Sequence, residues 1–219
     1  MDWTAAVDGY CERVGPGLWA EPVNAVTNLA FVLATLWVWP RMRGLPKARA
    51  LSLVLGAIGI GSGLFHTVAQ AWAGLADVLP IFLFVVLYIY AAHRDFWDQP
   101  RWLAGALTLA SVPAMVAVGQ VLPFRDALGG SAGYAPVPLL IFLHAALLAR
   151  RAPRDSAPAC GGRAAILCLS LAFRTLDGPV CPAFPLGTHF LWHVLNAVML
   201  GWMIEVYRAH VLAGGGARR

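Results

Sequence analysis

The chain reads as an all-α membrane protein, a bundle of seven transmembrane helices. Three observations predict this. Hydrophobic residues make up 59% of the 219 and charged residues only 12%, about half the ~25% of a soluble domain. Stretches approaching the ~20 apolar residues that cross a bilayer recur along the chain. Basic residues gather in alternate loops, as they do in a threaded membrane protein.

Spans are expected over residues 23–40, 49–69, 75–92, 102–122, 134–148, 164–176 and 188–211. The sixth is the weakest, being short and interrupted by Arg174. The others are apolar on every side, as lipid-facing helices are. With seven spans, loops one, three and five share a side with the carboxyl tail. They carry Arg41, Arg43, Lys47 and Arg49, then Arg94 and Arg101, then Arg150, Arg151, Arg154 and Arg163, and finally Arg208, Arg218 and Arg219. Of the 16 basic residues this leaves Arg13, Arg125 and Arg174 on the other side. The first set is therefore cytoplasmic and the amino terminus faces out. Dropping the sixth span would flip the arginines of the tail outward, which argues for keeping it. The formal charge of +5 is thereby accounted for by topology, and no nucleic-acid partner is expected.

Residues 1–22 carry Asp2, Asp8, Glu12 and Glu21 against Arg13, the reverse of a basic leader. They are expected to be an extracytoplasmic amino-terminal segment, followed by a membrane domain over 23–211 and a flexible, glycine-rich tail over 212–219. Trp37, Trp39, Trp97 and Trp102 fall at inner span ends, and Trp19 and Trp72 on the outer side, as in interfacial aromatic belts.

This orientation sorts the six histidines. His189 and His193 open the seventh span, four apart and so on one helix face. His66 closes the second span and Asp77 opens the third, all at the outer side. His93, His144 and His210 lie toward the inner ends or the tail, where an isolated histidine is ordinarily a packing residue. Three histidines and a carboxylate at one depth point to a site, since ionisable groups inside a membrane are costly. Three imidazoles with a fourth position open describe a catalytic zinc centre, whose metal brings the pKa of water from ~15.7 to near 7.

Asp77 is then placed to orient that water or take its proton; the other reading is a helix N-terminal carboxylate with a local role. Ser62 shares a stripe with Gly59, Gly63 and His66. Either it donates to a developing oxyanion or it bonds its own i−4 carbonyl while the glycines let helices pack closely. No nucleophile elbow surrounds it. Arg174, near the outer rim, is placed to meet a lipid head group or to pair with Asp177, and the Gly-rich loop 122–136 is placed to shape entry.

Taken together, Gly61-Ser62-x-x-Phe65-His66, then Asp77-x-Leu79-Pro80, then His189-x-x-Trp192-His193 resemble the alkaline ceramidase family. That family sits within a larger superfamily of seven-span metal hydrolases that includes adiponectin-type receptors. Its pattern is Ser-x-x-x-His, an Asp eleven after that His, and a terminal His-x-x-x-His, and the likeness covers nearly the whole chain. It implies that His66, His189 and His193 hold zinc, that Asp77 activates water and that Ser62 stabilises the transition state. The implied reaction is hydrolysis of a ceramide-type lipid amide to a fatty acid and a sphingoid base.

The resemblance also implies a calcium site. Asp8-Gly9-Tyr10-Cys11-Glu12 and Glu21-Pro22-Val23-Asn24 are similar to the family's amino-terminal calcium ligands, and hard carboxylate oxygens suit that ion. Three departures leave a merely acidic, solvated segment open as well: an extra residue between Asp8 and Cys11, a shorter stretch before Glu21, and Val14 where the family carries asparagine. Cys11 and Cys181 both lie outside, where a disulfide is stable, whereas Cys160 is cytoplasmic and Cys168 lies in the sixth span. Asp177-x-x-x-Cys181 is similar to the family's partner-cysteine region, so a Cys11–Cys181 bond is implied, with two free thiols as the alternative.

Three function classes follow. A zinc-dependent intramembrane lipid amidase is the first. A seven-span lipid-binding receptor with a structural zinc is the second. A transporter is last, because the carboxylates lie in loops, tails and span ends rather than at mid-membrane. The expected setting is a bacterial inner membrane with the site toward the extracytoplasmic leaflet. Oligomeric state and acyl-chain preference are not legible.

Overall fold

The computed structural model describes residues 2–15, 17–151 and 157–217. Arg154, Arg218 and Arg219, and with them part of the basic pattern read above, lie outside the described residues. Every regular element described is a helix, and the one bridge among the described residues is an isolated antiparallel pair, Ala6 with Gln70.

The first span is α1 (Pro22–Thr27) and α2 (Leu29–Val38), joined at Asn28 and continued by a 3-10 turn, Trp39–Met42. Then come α3 (Pro46–Val68), α4 (Ala71–Ala91, extended by a π turn over Ala92–Phe96) and α5 (Arg101–Val121). A short α6 (Arg125–Leu128) and a 3-10 turn over Gly129–Ser131 lead to α7 (Pro136–Arg151), then α8 (Ala157–Val180) and α9 (His189–Ala217). Proline opens α1, α3 and α7, where its missing N–H and fixed φ cost nothing.

Five helical stretches are long and apolar enough to cross a membrane: Pro22–Met42, Pro46–Val68, Ala71–Phe96, Arg101–Val121 and His189–Gly214. A sixth is a bent pair, Arg125–Ser131 with Pro136–Leu148, turning by 101°. The sixth expected span, 164–176, falls within α8, which is not among these stretches; Ser170, Arg174, Thr175 and Asp177 make it more polar than the six. Helix α9 runs on into the glycine-rich carboxyl end as far as Ala217.

Helix α9 is the spine. On one side Ala197, Ile204 and Tyr207 pack with Phe31 and Val38 of α2, Leu51, Leu55 and Ile58 of α3, and Phe84 of α4. On the other, Trp192, Met199 and Met203 pack with Leu167 and Leu171 of α8. Large apolar side chains that are not in these clusters, such as Leu33, Leu53, Leu109 and Val198, point outward, as they would toward lipid.

Two close approaches shape the end of the bundle where α9 begins. A Cβ on Gly61 would lie 2.0 Å from the carbonyl oxygen of Ala76, so its absence lets α3 and α4 touch backbone to backbone. Gly187, with φ +67°, turns the chain into α9 in a conformation that costs glycine little. A Cβ there would meet the Asp177 carboxylate at 2.2 Å.

Candidate metal centre

The amino segment straps across the end of the bundle where α3 ends and α4 and α9 begin. Val7 N–H donates to Ala69 C=O (2.8 Å), and Ala71 and Trp72 N–H donate back to Ala5 and Trp3 (both 3.0 Å). Cys11 and Cys181 form the expected disulfide, with Cα atoms 5.5 Å apart. It ties this strap to the loop that leads into α9.

Below the strap, α3 brings His66 to the His189 and His193 pair of α9. The ring centroids are 5.1 Å (His66–His189), 4.7 Å (His66–His193) and 4.6 Å (His189–His193) apart. All three are buried, and each offers a ring nitrogen within 4.8 Å of the others. Among the described residues this is the one such group of three or more ligand side chains. His93, His144 and His210 are elsewhere: His93 and His144 stack edge to face at 5.7 Å, and His210 Nε2 lies 2.9 Å from the Asp95 carbonyl.

The fit of a metal can be tested on hydrogen bonding. His66 Nε2, His189 Nδ1 and His193 Nε2 are buried with no hydrogen-bond partner, an arrangement that costs free energy unless a Lewis acid uses the lone pairs. Their other ring positions explain the tautomers. Glu21 Oε2 lies 2.6 Å from His66 Nδ1, and a carboxylate accepts, so Nδ1 carries the proton and Nε2 is left free. Thr27 spends its hydroxyl proton on the Val23 carbonyl (2.8 Å), so its oxygen accepts from His193 Nδ1–H at 3.0 Å. Such outer partners fix ring orientation and raise ligand basicity in metal sites. The donor set fits a zinc ion.

Glu21 is itself buried among Arg13 Nε (2.5 Å), Asn24 Nδ2 (3.1 Å) and His66. Burial alone would raise its carboxyl pKa, but the bonds from His66, Arg13 and Asn24 hold it below the ordinary value. The ring of Tyr10 stacks on His189 at 3.7 Å and covers it on the side of the amino-terminal strap. Burial pushes its phenol up to about 12, so it stays neutral.

Of the carboxylates expected at a calcium site, Glu12 and Glu21 have hydrogen-bond partners of their own. Glu12 is buried and accepts from the N–H groups of Val23 (2.7 Å) and Asn24 (2.8 Å), capping α1. Glu21 faces His66, and Asp8 is exposed. The three are not gathered around one point. Asp177 does not pair with Arg174; its oxygens accept from the N–H groups of Thr188 (2.8 Å), His189 (2.9 Å) and Cys11 (2.8 Å), which pins the start of α9.

Ser62 is buried, and its side chain is within hydrogen-bonding reach of Asp77, one turn into α4 from Ala73. Asp77 is also near His66 and Arg174. The Gly61–Ala76 contact is what brings this pair of helices close enough. Starting at Val78, the residue after Asp77, α4, α5 and α7 line a partly open, mainly apolar cavity of about 790 Å³, with Ile81, Val112, Met115, Tyr134 and Val137 among its walls. That volume is within the ~300–1,000 Å³ of small-molecule sites.

Glu21, Thr27, Tyr10 and Asp177 had no signal in sequence as metal-site partners, apart from the polar residues crowding an otherwise apolar chain. A family model described as Ceramidase matches residues 4–213. No curated protein matches the chain.

Proposed function

The chain belongs to the ceramidase family, and on that premise we propose that it is a zinc-dependent intramembrane lipid amidase. It hydrolyses a ceramide-type N-acyl lipid to a fatty acid and a sphingoid base. The observation that carries the proposal is the trio of partnerless, buried ring nitrogens on His66, His189 and His193.

Zinc, when bound, supplies Lewis acidity toward water and the amide carbonyl. The three imidazoles hold it, with His66 and His193 oriented by Glu21 and Thr27. Asp77 takes the proton from the attacking water and returns it to the amide nitrogen as the C–N bond breaks. The Ser62 hydroxyl donates to the oxygen on which negative charge develops. The cavity between α4, α5 and α7 takes an acyl chain, and membership of the ceramidase family favours a hydrolase over a receptor with a purely structural ion.

The proposed topology is seven spans, with α8 as the sixth and the 1–22 strap outside. The site then lies toward the extracytoplasmic leaflet of a bacterial inner membrane. The proposal does not extend to calcium, since Glu12 and Glu21 are engaged by helix α1 and by His66 with Arg13. It is tested by incubating purified protein with a panel of N-acyl lipids, with and without chelator. Chelator-sensitive release of fatty acid is expected; release that ignores the chelator, or none at all, overturns the proposal.

A further inference from the structure

Arg174 of α8 is a half-buried cation beside the proposed site, and the reaction as described gives it no role. Its Nη1 donates to Ser131 Oγ at 3.0 Å and its Nη2 to Tyr10 Oη at 3.3 Å. A guanidinium carries five N–H donors, so these two bonds leave it with capacity. The rings of Tyr134 (5.1 Å), Trp192 (5.7 Å) and Tyr10 (5.9 Å) surround its Cζ, a setting that holds a cation in place. Among the described residues no carboxylate is within ion-pair distance of it; Asp177, one turn along, is occupied by three backbone N–H groups.

The guanidinium faces a second cavity, of about 350 Å³, lined by Tyr10, Ser131 and Arg174. Asp126 and Gly129 line both this cavity and the larger apolar one, so the two adjoin. Asp126 and Asp177 also line the smaller cavity; Asp177 is taken up by its three backbone N–H groups, and Asp126 sits next to Arg125 on α6, which lines the larger cavity. On the other side, Tyr10 touches both Arg174 and His189, accepting from Arg174 through its hydroxyl and stacking its ring on His189. An acyl chain in the apolar cavity, with its amide at the histidines, puts the polar part of the lipid against Arg174.

We infer that Arg174 is a specificity-determining residue that binds an oxyanion on the substrate close to the scissile amide, so that acidic lipid amides are preferred over neutral ones. This rests on the amidase reading above. A carboxylate and a phosphate share the chemistry, since a guanidinium bonds either through paired N–H groups.

The test uses zinc-loaded, full-length protein and two pairs of lipids that differ in charge: N-palmitoylglycine against its methyl ester, and ceramide 1-phosphate against ceramide. Binding is read by tryptophan-fluorescence titration and hydrolysis by fatty acid release in parallel. The acidic member of at least one pair is expected to bind about tenfold tighter or better. The pair that shows it says whether carboxylate or phosphate is recognised. Arg174→Gln should bring the ratio close to one, and Arg174→Lys, which keeps the charge, should retain part of it. Equal binding within both pairs by the unmodified protein overturns the inference, as does a preference that survives in R174Q. If no lipid is hydrolysed but the charge preference is seen and is lost in R174Q, the amidase reading falls and with it the part of the inference that concerns a scissile amide, while the oxyanion contact of Arg174 stands.

Discussion

Replacing Gly61 by alanine tests whether helix contact, rather than the mere presence of the side chains, builds the site. The added Cβ would lie 2.0 Å from Ala76 O and 2.7 Å from Ala76 C, against a practical minimum of 3.0 Å. Both are backbone atoms that no rotamer change can move, so α3 and α4 must separate by about 1 Å. Helix α3 carries Ser62 and His66, whereas α4 carries Asp77, so the separation opens the gap across which the proton is passed. Overpacking of this size costs roughly 1–3 kcal/mol of stability. A 1 Å misplacement of a reacting group costs on the order of 100-fold in rate. The assay is kcat for amide hydrolysis with zinc content and Tm measured on the same sample. G61A is expected to keep most of its zinc, because His189 and His193 do not move with α4, while turnover drops about 100-fold. A variant with the turnover and Tm of the parent protein would refute the claim that this contact sets the distance of Asp77.

Thr27→Val removes the oxygen that accepts from His193 Nδ1–H at nearly constant volume; zinc affinity, measured by competition with a chromophoric chelator, should fall about 10- to 100-fold. Unchanged affinity would mean that the Thr27 hydroxyl does not orient the ring. Asp177→Asn places an amide donor where one of three backbone N–H groups needs an acceptor. It should lower stability by roughly 1–3 kcal/mol, read as a drop in Tm, with part of the loss in zinc occupancy because His189 is one of the three. Cys11→Ser opens the bond to Cys181 and should cost about 2–5 kcal/mol; reductant should lower the Tm of the parent protein but not that of C11S.

The three-histidine cluster was legible because helix geometry converts sequence spacing directly into position. His189 and His193 share a face by their separation of four, and the alternation of basic loops put His66 at the same depth. The disulfide was legible for a similar reason, since topology and resemblance leave Cys11 and Cys181 on one side. What could not be read was contact made by segments without a period. Glu21, Tyr10 and Arg13 belong to an irregular strap whose path depends on hydrogen bonds to Ala69, Ala71 and Trp72, none of them marked by residue type. Glu12 and Glu21 looked like oxygen ligands because a carboxylate that caps a helix and one that binds a cation are the same group. Asp177 was weighed as a partner for Arg174 on their spacing of three, but three backbone donors at the start of α9 outweigh one side-chain cation. The bend of 101° before α7 follows Gly-Gly-Ser and precedes Pro136, which marks a break without giving its angle.

The central claim is that one zinc ion held by His66, His189 and His193 makes this chain an amidase. Its most direct test is a zinc titration of chelator-stripped protein, with fatty acid release and bound metal followed together. Activity should rise in proportion to zinc and level off at one ion per chain, and neither binding nor activity should return in His193→Ala. Hydrolysis by metal-free protein equal to that of the reconstituted protein, or an H193A variant that binds zinc and turns over like the parent, would contradict it.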